Sequence, residues 1–337
     1  MEKAAKAAEN TTDISERRES DRVRIHSLSA LYEKEMADHI HSRRFIIILL
    51  IVAITTIASI YGAVSGMADA ISSDSNFIFL KTFTTSGNSI PSYVSLMALV
   101  GPLIGLMLGF DAVNSERSSG TLNRLVAQPI YRDSIIIGKF LAGTTLISVL
   151  VLVSGILTGV TGFLFIGMRP ESEEVGRMIV YLFYTIVYIS FWLALSILFS
   201  IICRHSATSA LSSFAVWLFL AIFMSMIAGV IARSVYPINN QYQQAMNSVN
   251  YYNLNLALNR ISPYYLYSEA VSTILNPSVR ALNAVTMSQL TGAISSYLSM
   301  SQSIMLVLPN LVGLVAEMLA AFVLSYIGFM RQEIRGI

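Results

Sequence analysis

Residues 92–139 read SYVSLMALVGPLIGLMLGFDAVNSERSSGTLNRLVAQPIYRDSIIIGK, and three kinds of segment follow one another in them. Ser92–Phe110 is an uncharged apolar run of about the 20 residues that a helix needs to cross the core of a bilayer. A polar stretch comes next, with Leu122, Leu125 and Val126 at the i, i+3 and i+4 spacing of a short helix with one apolar face. Gly120 loosens the start of that helix and Pro129 ends it. Ile135 then opens a second apolar run, and Asp133 or Ser134 is placed to cap it. Long apolar runs joined by a short amphipathic helix describe a membrane bundle.

The rest of the chain agrees. Hydrophobic residues make up 54% of the 337 and charged residues 12%, about half the charge of an ordinary soluble chain. Six uncharged or nearly uncharged runs reach spanning length: Phe45–Ser65, Ser92–Phe110, Ile135–Ile166, Met178–Ile202, Ala207–Ala232 and Ile304–Met330. None alternates with period two, which argues against a barrel. The expected fold is an all-α integral membrane bundle of six transmembrane helices. Lys139, near the start of the third run, is expected to snorkel to the headgroups. Net charge is only +2, against a nucleic-acid partner, and the single cysteine, Cys203, excludes a disulfide framework and a multi-cysteine zinc site.

Lysine and arginine orient the bundle. Sixteen of the 22 fall on one side: nine within residues 1–44, then Arg117, Arg124, Arg132, Lys139, Arg204, Arg331 and Arg335. The positive-inside rule places that side, with both termini, in the cytoplasm of a cell membrane. Four regions follow: a tail and interfacial helix over 1–44, spans one to five over 45–232, an external segment over 233–303, and span six with the C-terminus over 304–337. Leu28, Leu31, Tyr32, Met36, His39 and Ile40 recur at helical spacing, so the end of the tail reads as a helix lying in the cytoplasmic interface. The apolar run after residue 44 is long enough to span, which argues against a signal peptide.

Outside, residues 67–91 read as a short polar loop. The 233–303 segment is long enough to carry structure of its own. Ser262-Pro263 has the form of an N-cap followed by proline at the first helical position, and Asn276-Pro277 stops the helix that follows. With Leu266, Ala270, Val271 and Ile274 along one face, this helix is expected to rest at the outer interface. No Asn-x-Ser/Thr acceptor occurs outside, which leans towards a prokaryotic source.

A peg between two spans suits docking into a groove of a partner; its plain alternative is a polar connector. At this point Glu116, Gly120-Thr121-Leu122, Pro129, Arg132 and Gly138-Lys139 resemble the signature of type 2 ATP-binding-cassette (ABC) transporter permeases. Residues 261–277, ISPYYLYSEAVSTILNP, resemble the outer segment of the branch that includes nitrous-oxide-reductase maturation permeases. The resemblance implies a permease subunit of an ATP-driven exporter: two copies of the permease, a homodimer, each with its coupling helix near 116–129 planted in one of two copies of a separate ABC ATPase. It also implies that Glu116, Gly120, Thr121, Leu122 and Leu125 transmit movement, while Pro129, Arg132 and Lys139 fix the peg. ATP and magnesium then belong to the partner, and the permease holds no cofactor. The residues agree in one respect: no GxxxxGK[ST] phosphate loop occurs in the chain.

Within the spans, Glu317 is the one deep carboxylate, and burying it favours a position against protein or water rather than lipid. Asn310, Gly313, Glu317 and Ala321 share a helical face, readable as a wall of a translocation path or as a hydrogen-bonded packing face. Tyr181, Tyr184, Tyr188 and Trp192 form a stripe, with Tyr184 and Tyr188 candidates to line a path, although aromatic stripes at this spacing commonly pack. Gly101, Gly105 and Gly109 make two overlapping GxxxG patterns, for sliding or for static contact, with Pro102 a kink. Neither HExxH nor GxSxG occurs, and Glu173-Glu174-Val175-Gly176-Arg177 is one residue short of an intramembrane-protease motif, so an enzyme is not expected. An ion-coupled secondary transporter working through Glu317, or a non-transporting scaffold, remains the alternative; the cargo of an exporter with so little fixed interior charge is expected to be amphipathic or hydrophobic.

Overall fold

The computed structural model describes residues 27–73, 76–87, 90–122, 131–167, 169–278 and 297–331. They form an α-helical bundle with six helices long and apolar enough to cross a membrane. In chain order the helices are α1 (27–40), α2 (Arg43–Ser73), α3 (Ile78–Thr84), α4 (Tyr93–Gly109), α5 (Asn114–Ser118), α6 (Arg132–Ile166), α7 (Ser172–Ile202), α8 (Ser206–Val235), α9 (Gln241–Asn259), α10 (Pro263–Leu275) and α11 (Met300–Arg331). The spans are α2, α4, α6, α7, α8 and α11. One end of the bundle, the loop end, carries α1 and α5. The far end carries α3, α9 and α10.

α7 is the hub: 72% of its most apolar window is buried, and it packs chiefly on α4 and α11. Close approach to α4 depends on absent side chains. A Cβ at Gly105 would stand 2.6 Å from the Ile189 carbonyl oxygen, and one at Gly109 would stand 2.9 Å from that of Leu193. Ser196 ties the same pair by donating to the Leu106 carbonyl at 2.9 Å. The two GxxxG patterns are therefore seated inside the chain, against its own fourth span. α8 is the opposite case, with 11% of its window buried and Leu211, Met226 and Val230 turned outward.

Midway along α8, Phe219–Phe223 makes a π turn. Such a turn leaves backbone groups without their usual partners. Here the Ser262 hydroxyl donates to the Leu220 carbonyl at 2.7 Å.

Two expectations for the far end need correction. Residues 67–91 are not a polar loop: α2 continues to Ser73, and α3 buries Phe79, Leu80 and Phe83 against the bundle. The α10 helix has the expected bounds, with Ser262 at the N-cap and Pro263 at its first position. It does not rest on an interface, however. Leu266, Tyr267, Ala270, Val271 and Ile274 are buried, and the Tyr267 ring stacks on that of Tyr188 in α7 at 4.3 Å. Apolar faces of these lengths gain more from packing against protein than from a partial immersion.

Arg177 holds this end together at 1% exposure. Its guanidinium donates to Glu173 Oε1, to the Ile274 and Leu298 carbonyls and to Ser303 Oγ, at 2.6–3.1 Å. One cation thereby joins α7, α10, α11 and the strap before α11. Beside it, Glu174 accepts from the amides of Phe79 (3.0 Å) and Glu171 (2.9 Å), capping α7 and anchoring α3 together. The acidic-basic run at 173–177 is a structural clamp.

Candidate coupling site

The 110–122 segment leaves α4 and is gripped from four sides. The amides of Val113 and Asn114 both donate to Ser200 Oγ of α7, at 3.0 and 3.2 Å. Asp111, buried, pairs with Arg44 at the start of α2, and that guanidinium lies 5.0 Å from the centre of the Phe110 ring. α5 then presents Glu116. One of its carboxylate oxygens, Oε1, takes Lys34 of α1 and Lys139 of α6, each at 2.9 Å. Both ammonium groups also reach Glu35 Oε1 at 2.9 Å, closing a ring of two acids and two bases.

Lys139 is therefore not a snorkelling residue. It is 4% exposed, with its ammonium spent on Glu35 and Glu116. A buried cation with two buried carboxylates at contact distance has a better alternative to hydration than the headgroup layer offers. α1 packs beside Gly138 of α6, where a Cβ would stand 3.4 Å from that of Leu31, an ordinary contact.

The ring sets the protonation of α1. Burial alone would push Glu35 up, but Lys139 and Lys34 outweigh it and hold the carboxyl below its ordinary value. Burial likewise works against the Lys34 cation, while Glu35 and Glu116 hold it above the usual lysine range. His39, one turn beyond Glu35, is depressed by burial, which the neighbouring carboxylates only partly offset.

After α5 the chain turns at Gly120, whose φ of +71° lies in the left-handed region that glycine adopts without strain. Helical backbone resumes at Thr121 and Leu122. Thr121 is exposed and Leu122 is buried, so the first turn of the peg already has a face against the bundle and a face away from it. Leu125, Val126 and Pro129 lie outside the described residues. Arg132, half-buried, opens α6, and Asp133 accepts from the Ser134 amide in its first turn.

A profile of ABC-2 family transporter proteins matches residues 29–334. The chain belongs to that family. Over 151 residues it is 30% identical to a protein of Stutzerimonas stutzeri named as a probable ABC transporter permease, NosY, covering 43% of this chain and 47% of that one. A protein of the same name from Pseudomonas aeruginosa is 27% identical over 142 residues, covering 42% of this chain and 46% of the relative. The chain thus spans about half the length of the curated relatives it matches. It is a transporter permease of the ABC-2 type, helical and multi-pass.

The residues singled out within the spans fall in other places. Tyr184 and Tyr188 are buried; their hydroxyls donate to the Val307 carbonyl (3.0 Å) and the Ala98 carbonyl (2.9 Å), cross-bracing α7 to α11 and α4. Asn310 donates to the Leu266 carbonyl and, at 2.7 Å, to Glu269, which also holds Arg260 through two hydrogen bonds of 3.0 Å. It ties α11 to α10. Glu317 is half-buried, and its Oε2 has no hydrogen-bond partner among the described residues.

Sequence reasoning missed Lys34, Glu35, Arg44, Asp111, Ser200 and Arg177. In the sequence Lys34 and Arg44 count only towards the side of the membrane they mark. The acids at 35, 111 and 116, near the ends of apolar runs on the same side, were the available signal that those bases had partners.

Proposed function

We propose that this chain is the membrane half of an ATP-driven exporter, working with a separate ABC ATPase and paired with a second copy of itself. The loop end faces the cytoplasm in this reading, as the basic residues gathered there favour. The observation that carries it is the grip on residues 110–122. A connector needs no such bracing, whereas an element that passes a push into a bundle must be stiff where it meets each helix. Ser200, Arg44, Lys34 and Lys139 supply that stiffness at α7, α2, α1 and α6. Closure of the ATPase pair on ATP and magnesium would displace the peg, and the knot would carry the displacement into four helices at once. The names of the relatives agree with a permease role, and an amphipathic or hydrophobic cargo suits an interior with one deep carboxylate.

The test is affinity purification of the full chain in mild detergent from native membranes, scored for a phosphate-loop ATPase at about one to one. Leu125→Asp, and Thr121→Trp on the exposed face, should abolish recovery while leaving the permease folded. No ATPase with an intact permease pair would sink the proposal. The unpartnered Glu317 oxygen is the one observation favouring ion coupling, and in that case Glu317→Gln would stop transport while both peg variants would not.

A further inference from the structure

α9 and α10 hang from the far end but reach deep between the spans. The Ser262 hydroxyl donates to the Leu220 carbonyl of α8, and at 1.5 Å per residue Leu220 stands ~21 Å from Ser206 and ~22 Å from Val235. The Tyr267 ring stacks on that of Tyr188, which lies ~24 Å from Ser172 and ~21 Å from Ile202 along α7. A Cβ at Gly313 would stand 3.1 Å from Leu266, and Gly313 is ~20 Å from Met300 along α11. Three spans thus put the junction of α9 and α10 near the middle of a bilayer, whose hydrocarbon core is ~30 Å thick. α9 descends to it along the second half of α8, and α10 climbs back to Arg177.

The face that α9 leaves open on the way down is polar. Asn250, Asn253 and Ala257 are exposed at helical spacing, and Arg260 continues the stripe with 31% of its side chain exposed. A guanidinium at this depth is costly against hydrocarbon, so such groups face protein or water. Glu269 matches its charge but is only 8% exposed, and its oxygens already accept from Arg260 Nε and Nη2 and from Asn310. Arg260 Nη1 donates to nothing among the described residues. What the open side offers is therefore spare donors on a cation. Glu317 remains the one deep carboxylate of the spans; Glu269 arrives on α10 with its charge matched.

We propose that this face of α9 borders a water-filled path at mid-bilayer depth, in which Arg260 receives an anionic group of the cargo. The inference rests on the exporter reading and adds the charge of the cargo to it. Asn310 holds Glu269, Glu269 holds the guanidinium, and the free edge of the fork suits a carboxylate or a phosphate.

Cys203 is the single cysteine, so Cys203→Ser gives a thiol-free background for the full chain in nanodiscs. Ala257→Cys, one turn before Arg260, should react with charged methanethiosulfonates, which modify thiols only in water. Val149→Cys, midway along α6 at a position 52% exposed, should react with neither sign of reagent. Rates relative to mercaptoethanol should favour the anionic sulfonatoethyl reagent over the cationic trimethylammonium one severalfold at Ala257→Cys. Arg260→Gln should abolish that preference and Arg260→Lys should keep it. Where Arg260→Gln fails to fold, Arg260→Gln with Glu269→Gln, which leaves no buried carboxylate unpaired, should abolish it instead. Octyl phosphate should slow the neutral methyl reagent at Ala257→Cys, and octyltrimethylammonium should not. Protection by octyl phosphate alone marks an amphiphilic anion, and protection by inorganic phosphate as well marks a soluble one. Ala257→Cys as inert as Val149→Cys, a preference for the cation, a preference untouched by the Arg260 variants, or protection by neither phosphate would overturn the proposal. The rates are read without ATP or an ATPase, so failure to recover an ATPase bears on the exporter reading alone.

Discussion

Lys139 illustrates how one side chain can set the mechanical character of a loop. With Lys34 it holds Glu35 and Glu116 within reach of each other, and without it two nearly buried carboxylates face a single half-exposed ammonium. Lys139→Met should cost ~3 kcal/mol, the usual loss when one partner of a buried pair is removed. The drop would be read from the thermal unfolding midpoint in detergent. Glu35→Gln added to Lys139→Met should recover most of it, because Lys34 then has only Glu116 to neutralise. Acid should attack the same place in two stages. His39 is held below its ordinary value, so the unfolded chain binds a proton near pH 6.5 that the folded chain refuses, and stability falls as pH drops through that region. Glu35 is also held low, so its contribution persists above about pH 4.5 and is lost below it. His39→Gln should remove the first stage and leave the second, as followed by unfolding midpoints from pH 8 to pH 4.

For single elements, the contact between α4 and α7 is set by what glycine omits. Gly105→Leu must push a side chain into the Ile189 carbonyl and Leu193 amide, a backbone collision that rotamers cannot relieve. A loss of at least 1–3 kcal/mol, with lowered yield of folded protein, is expected. Gly229→Ala in α8 meets nothing within 4 Å and should stabilise slightly, by up to ~1 kcal/mol of helix propensity. The same elements show what a reader of the sequence can and cannot see. Six spans, the start of α10 at Pro263 and the turn at Gly120 were legible because length, capping residues and glycine are local signals. α3 was not: seven residues, IFLKTFT, are too few to display a period, and their helicity is settled by Glu174, some 95 positions away. The site divides in the same way. Glu116, Gly120 and Lys139 stood out in a motif, while Lys34, Asp111 and Ser200 join them only once the spans are side by side.

Taken whole, the molecule has a polar knot at each end of a bundle packed around α7. At the far end Arg177 closes α7, α10, α11 and the 297–299 strap on one guanidinium. Arg177→Met should release three elements together and cost ~3–5 kcal/mol, since it leaves Glu173, two carbonyls and a serine without their donor. Protease susceptibility of α9 and α10 in intact nanodiscs should rise, while that of α1 should not. Arg177→Lys should rescue only in part, because an ammonium cannot serve four acceptors in a plane.

The π turn at Phe219–Phe223 makes span five one residue longer than a regular helix would need to reach the same height. Removing any one residue between Phe219 and Phe223 lets the backbone close into ordinary α-helix. Everything beyond it would keep its facing, since the widened turn already spends the extra residue within one circuit of the axis. Met226 and Val230 would stay outward and Ala228 and Ala232 inward, while Ser262 would lose the carbonyl it holds. Loss of one residue at these five positions is thus a length change that span five could absorb locally, with the faces on either side left as they are.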